Sequence, residues 1–335
     1  MKKRLFFLVA LMAAFMSVNA ATDRLMVTLQ NGDETKVFYG EEALVEAMNE
    51  IKSQEGSHLI TLSEGVFRGP NNWSTSGIFK EIKSLKVQGA GYNNGKSIYN
   101  DNSSNRVVGF EMSCDDDDEG LVLDGLYYEG ILEIRGTFNK CTIKRCKINT
   151  LKILTNSKNV TIEQCRIRSL NLGESSVKYD HENMVITNSA IEYINYCQQS
   201  SNVRVDHCYV NCVFSGAQPN CTDCIIWEYQ GSEGSICVNC LVQQPSNVIL
   251  AGGEKIDFLS SSIFGWENPC TLTEEQAAKY VDSNGTQVGI YGGVGFSEDP
   301  TNPKITSTDI SREATYDEAN DKYTLNVKFT VDTQE

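Results

Sequence analysis

Basic residues are in short supply: 29 Lys plus Arg stand against 44 Asp plus Glu, giving the 335-residue chain a formal charge of −15. A field of that sign repels nucleic acid and anionic lipid at long range, so no nucleic-acid partner is expected, and any polyanion needs a local basic patch. Proline is scarce too, at six residues, and amphipathic helical periodicity is rare. Those two shortages fit one continuous repeat unit better than two ordinary domains. Long apolar runs are missing beyond the first twenty residues, where a spanning helix would need about 18. No membrane insertion is therefore expected.

The one early apolar run, 5–16, follows Lys2, Lys3 and Arg4 and precedes Val18-Asn19-Ala20. Charge, apolar stretch and small residues in that order predict a signal peptide over residues 1–20. No Cys follows the small residues, so a lipid anchor is not expected. The product is then exported, to the periplasm, the cell surface or the medium. Loss of the leader leaves 26 Lys plus Arg against 44 Asp plus Glu, a balance of −18.

What the chain does have is an eight-residue register that recurs: apolar, any, apolar, any, any, small or Cys, any, apolar. Clear copies are 141–148 (CTIKRCKI), 160–167 (VTIEQCRI), 184–191 (MVITNSAI), 203–210 (VRVDHCYV) and 256–263 (IDFLSSSI); looser ones begin at Leu85, Leu121 and Ser235. The basic period is about twenty residues, with loops inserted where the gap is longer. Alternation at the first and third positions predicts a strand, and the change of phase before the sixth and eighth predicts a bend into a second. A third apolar pair follows, as at Leu151 and Ile153, Leu170 and Leu172, and Ile194 and Tyr196. Asn159, Asn183 and Asn202 sit just before their copies, where Asn tolerates a left-handed corner.

Stacked coils would align the third positions (Val87, Leu123, Ile143, Ile162, Ile186, Val205, Cys237, Phe258) and the eighth (Tyr92, Tyr128, Ile148, Ile167, Ile191, Val210, Val242, Ile263) as core ladders. The fold expected is all-β: a single-stranded right-handed parallel β-helix, a solenoid of about 20 residues per coil over residues 21–300. A leucine-rich-repeat horseshoe is the alternative, but its helical segments and strict leucine spacing are missing. An open solenoid must cap its ladders. Residues 41–54 (EEALVEAMNEIKSQ) put Leu44, Val45, Met48 and Ile51 on one helical face, predicting an N-terminal capping helix. Residues 304–308 and 323–331 alternate around the turn-like 317–321, predicting a C-terminal β-hairpin within 301–335.

The helix, the strand 58–62 and the Gly65-Val66-Phe67 that follows resemble the opening of pectin-lyase-like β-helix proteins. Asn202-Val203-Arg204-Val205-Asp206-His207-Cys208 resembles the N-V-W-I-D-H-C stretch of pectate lyases, with Arg204 in place of Trp. Val288-Gly289-Ile290-Tyr291-Gly292-Gly293 resembles the closing region of an unassigned subgroup of secreted β-helix proteins from gut-type bacteria. The lyases use calcium and an arginine base on uronic-acid polymers; their partner motif with two arginines is absent here, as are polygalacturonase signatures. The resemblance thus implies architecture and a polysaccharide partner, and does not carry catalysis across.

Outward positions stack as inward ones do. The seventh gives Gly91, Tyr127, Lys147, Arg166, Ala190, Tyr209 and Leu241. Two tyrosines there bracket two cations, and coils ~4.8 Å apart approach the rise of an extended polysaccharide. Tyr127 and Tyr209 would stack on sugar faces, and Lys147 and Arg166 would meet carboxylates or sulfates, with Arg204 and His207 as further contacts. An ordinary solubilising face has the same composition. The fourth position gives Asp124, Lys144, Glu163, Thr187 and Asp206. Glu163 and Asp206, two coils or ~9 to 10 Å apart, with Lys144 beside them, would form the catalytic set if the chain is a lyase or hydrolase. Cross-strand charge pairing explains the same residues.

Twelve cysteines in an exported chain suggest disulfides, and one is open among Cys197, Cys212, Cys221 and Cys224. Cys221-x-x-Cys224 with Cys237-x-x-Cys240 has zinc-ribbon spacing, yet the register turns Cys237 and Cys240 inward, as it does Cys146, Cys165 and Cys208. Buried filling is the expectation there, and no metal site is assigned. Asp115-Asp116-Asp117-Asp118-Glu119 leaves calcium open, although it lacks the alternating spacing and Gly turn of a calcium loop. The function expected is binding of an extracellular polysaccharide, acidic ones included, without catalysis. The alternatives are a lyase or glycoside hydrolase, and a surface protein-interaction module.

Overall fold

The computed structural model describes residues 25–297 apart from 52–53, 69–81, 94–96, 101–106, 114–119, 138, 176, 178, 198–201, 215–216, 232–234, 256–265 and 270, together with the strands at 304–307, 313–317, 322–326 and 330–332. The expected leader, the register copy at 256–263 with Phe258 and Ile263, and the acidic run 115–119 lie outside the described residues.

The chain is mostly β. Two long sheets of twelve and eleven strands run side by side, and each coil contributes one strand to each. Pairing is parallel from Gly56–Leu62 onward, an arrangement compatible with a solenoid. The register follows the apolar periodicity. In the first sheet Ile60, Val87, Leu123, Ile143, Ile162, Ile186, Val205, Cys221, Cys237 and Leu250 lie over one another. In the second, Phe67, Tyr99, Tyr128, Ile148, Ile167, Ile191, Val210, Ile226 and Val242 do the same. Both columns belong to one continuous core. Slipping any coil by one residue would turn its apolar set outward.

Four details differ from the expected register. Tyr99 takes the place expected for Tyr92, because the second strand of that coil begins only at Ser97. A whole coil, Asn220–Thr222 with Ile225–Tyr229, fills the gap between Val203 and Ser235. Pro219 stands at its first position, and its two cysteines read as ligand spacing. Another coil, Val248–Ala251 with Glu254–Lys255, follows directly; Lys255 at its eighth position hides it. Tyr196 points out, 47% exposed, and Cys197 is buried beside it.

The corner between the two sheets is where the polypeptide does something unusual. Its fifth-position residues Gly125, Arg145, Gln164, Asn188, His207, Asp223, Asn239 and Gly252 all have φ between 44° and 72°. Left-handed backbone in non-glycine residues is costly, but here each N–H from Gly125 to Asn239 in this series donates to the fourth-position carbonyl of the next coil, as from Arg145 to Glu163 and His207 to Thr222. Asn159 and Asn183 take the same conformation at the corner before their strands; Asn202 does not.

At the N-terminal end the helix Ala43–Ile51 buries Ala43, Leu44, Ala47, Met48 and Ile51, rather than Val45. Leu44 and Met48 close over Leu62, Val87, Tyr99, Phe110, Leu126 and Tyr128. An antiparallel hairpin, Met26–Asn31 with Glu34–Tyr39, extends the first sheet there; Gly32-Asp33 is its two-residue turn, with Gly32 at φ 58°. Near the C-terminus Glu313–Asp317 pairs with Lys322–Asn326, and Lys304–Ser307 with Thr330–Asp332, both antiparallel. No described helix is long and apolar enough to cross a membrane.

Candidate functional site

The seventh-position column of the second sheet runs Ile98, Tyr127, Lys147, Arg166, Ala190, Tyr209, Ile225, Leu241. It divides in two. Tyr209, Ile225 and Leu241 form a second small core with Val288 and Ile290, against which Leu272, Tyr280 and Phe296 pack. Tyr209 is 1% exposed, so it is a wall of that core and not an open platform. The physical reason is the segment 271–296, which crosses back over the sheet.

That segment is held by the left-handed corners. Gln164 donates to the Gly295 carbonyl at 2.9 Å, Asn188 to the carbonyls of Ile290 and Gly292 at 3.0 and 2.7 Å, and Asn239 to Val281 at 3.0 Å. The Asp223 carbonyl accepts from Gly289 N–H at 2.8 Å. His207, expected at an exposed corner, is buried beneath it. Its Nδ1 donates to Asp206 Oδ1 at 3.1 Å, and Nε2 makes an ion-pair contact with Asp282 Oδ2 at 3.3 Å. A Cβ at Gly292 would fall 2.7 Å from the His207 ring, so glycine is required for this close approach.

The other half of the column is polar and opens on a cavity of about 220 Å³ lined by Tyr92, Asn93, Lys147, Arg166 and Glu267. Lys147 Nζ lies 2.6 Å from Glu267 Oε1. It also stands 5.1 Å from the centroids of both the Tyr127 and the Trp266 ring. Arg166, 7% exposed, donates to the carbonyls of Trp266 and Glu267 and lies 5.4 Å from the Phe296 ring. The hydrogen bond from Lys147 holds the Glu267 carboxyl below its usual range, and burial pushes the Tyr127 phenol up. Two cations, a carboxylate and Tyr92 thus line one small polar space, with the Tyr127 and Trp266 rings beside Lys147.

Two of the expected binding residues, Lys147 and Arg166, line this cavity, and Tyr127 stands beside Lys147 without lining it. Tyr209 is sealed away, and His207 anchors the covering segment. Arg204 stands on the first sheet, 58% exposed, 3.8 Å from Asp206. Trp266, Glu267, Tyr92 and Asn93 were not expected here. Trp266-Glu267-Asn268 follows the last register copy, and its aromatic, carboxylate and amide were the available signal.

The expected catalytic set is spread along the first sheet. Thr187 separates Glu163 from Asp206 in register. Lys144 lies 3.7 Å from Asp124, whose carboxylate is gripped by Arg145 at 2.8 and 2.5 Å, an arrangement of cross-strand pairing. Among the described residues one group brings three possible metal ligands mutually within 4.8 Å, namely Asp206, His207 and Asp223, and it contains no cysteine. Burial pushes the Asp223 carboxyl up.

All ten described cysteines are buried, Cys197 among them, and Cys212, Cys221 and Cys224 are free thiols. Compared with family models, curated proteins and solved structures, the chain matches none.

Proposed function

We propose that this chain is an exported right-handed parallel β-helix of pectin-lyase-like architecture that binds an acidic extracellular polysaccharide without cleaving it. The handedness follows the rule for parallel crossovers, and the leader-like first twenty residues support export. One observation carries the binding reading: Lys147 and Arg166 stand in register on adjacent coils at a polar cavity, with the rings of Tyr127 and Trp266 beside Lys147. Cations paired with aromatic faces suit a sugar that carries a carboxylate. The cavity is smaller than the ~300 to 1,000 Å³ typical of drug-sized ligands, so it suits one ring of a chain that continues outside.

The test is titration calorimetry of the mature protein with oligogalacturonate and with a neutral galactan oligomer of equal length, alongside assays for unsaturated products and reducing ends. Binding of the acidic oligomer alone, no products, and roughly tenfold or greater weakening in Lys147→Gln are expected, since losing a charge-assisted contact costs about 1.5 to 3 kcal/mol. Equal affinity for both oligomers would remove the acidic specificity. Products lost on Asp206→Asn would establish the lyase or hydrolase alternative.

A further inference from the structure

The Lys147–Glu267 pair has a lopsided construction. The Lys147 side chain is only 21% exposed, whereas that of Glu267 is 62% exposed. Lys147 is held independently of Glu267, between the Tyr127 and Trp266 rings. The backbone beside Glu267 is pinned as well, because Arg166 donates to the carbonyls of residues 266 and 267. What is left unpacked is the Glu267 side chain, a largely exposed acidic group on a rotatable stem whose carboxylate occupies the oxygen position facing Lys147.

We propose that Glu267 is a built-in stand-in for the ligand: its carboxylate fills the Lys147 subsite until a uronic-acid carboxylate displaces it. This rests on the polysaccharide-binding reading above and deepens it, by naming the ligand group and the residue that sets the threshold for binding. Displacement needs only rotation of one side chain. The Lys147 ammonium stays between its two rings, and Arg166 continues to hold the wall, so the subsite is preorganised for the incoming carboxylate. The released Glu267 turns to solvent, where it is already largely exposed. A neutral sugar offers nothing to exchange and leaves the pair closed. Glu267 thus sets the threshold for acidic binding, because an incoming carboxylate must outcompete it before it meets Lys147.

Removing the competitor should strengthen acidic binding. Exposed ion pairs of this kind are modest, so Glu267→Gln is expected to bind oligogalacturonate roughly two- to fivefold more tightly than wild type. Affinity for the neutral galactan oligomer should be unchanged. Glu267→Asp, with a shorter stem that reaches Lys147 poorly, should fall between the two. Thermal melts of all three proteins verify that the fold is kept. If wild type binds oligogalacturonate and Glu267→Gln binds it equally or more weakly, Glu267 is a wall or a contact, and the stand-in is overturned while the binding reading stands. If neither protein binds the acidic oligomer, the binding reading falls and the stand-in with it.

Discussion

The sixth position of each coil shows how one side chain can settle a local conformation. Cys146, Cys165, Cys208, Cys224 and Cys240 each donate a thiol hydrogen to the carbonyl two residues earlier, at 3.1 to 3.2 Å, and Ser189 does the same at 2.8 Å. Each such contact closes the left-handed corner from inside. The column also links coils: Ser189 Oγ accepts from Cys165 N–H at 3.0 Å, and the sulfurs of Cys224 and Cys240 accept from the N–H groups of Cys208 and Cys224 at 3.4 Å. The cysteines are therefore small buried filling with a hydrogen-bonding duty. Burial pushes the thiols of Cys197 and Cys212 up to about 12, far from the thiolate form that reacts. Ser189→Ala should cost about 1 to 3 kcal/mol, because it strands the buried Cys165 N–H. Cys165→Ser, which makes that position like its neighbour, should cost less. Urea denaturation of both variants checks the order; equal losses would show that the column is filling alone.

Among the elements, the segment 271–296 depends on one titrating contact. His207 faces Asp206 on its own strand, Asp223 on the next coil and Asp282 on the covering segment. The hydrogen bond to Asp206 raises the His207 pKa above 6.5 despite burial, with the three carboxylates adding to it. A raised folded pKa means that the stabilisation is fully present below the unfolded value near 6.5 and is lost as pH rises through the folded one. His58 and His181, lowered by burial, act in the opposite sense and lose stability as pH falls. Comparison with His207→Asn cancels them. Asn also accepts the left-handed φ of 47° at this corner. Wild type should melt above the variant at pH 6, and the gap should close as pH rises through the folded pKa of His207. Hydrogen exchange of amides 281–293 should quicken over the same interval. A gap independent of pH would mean that the imidazole acts by packing alone. The parallel coils were legible in the sequence because each repeats an inward pattern with period two. This segment was not legible. Gln164, Asn188, His207 and Asn239 share no chemistry beyond a polar tip, and what unites them is a backbone angle that a residue type only weakly discloses. The candidate site was half legible for the same reason: register aligned Tyr127, Lys147 and Arg166, but Trp266 and Glu267 arrive from outside the repeat.

For the whole molecule, the cationic cavity is a local exception on a strongly acidic body, −15 for the full chain and −18 without the expected leader. An acidic polysaccharide approaching it is repelled over most of its path and attracted only at contact. Salt acts differently on the two ranges. Between about 0.01 and 0.1 M the Debye length shrinks from about 30 to about 10 Å, which removes most of the repulsion from distant carboxylates. The contacts that matter lie much closer, with the Lys147 ammonium 2.6 Å from the carboxylate now beside it, and are screened less. Association of oligogalacturonate should therefore quicken on the order of a few-fold across that range, the reverse of a ligand steered by opposite charge. Dissociation should also quicken modestly, as the contact pair is weakened, leaving affinity flatter with salt than either rate. Stopped-flow mixing with a fluorescently labelled oligomer at 0.01, 0.05 and 0.1 M salt measures both rates. An association rate that falls steadily with salt would place the landing surface on a basic face elsewhere in the molecule, because the described cavity alone cannot outweigh the field of the whole chain.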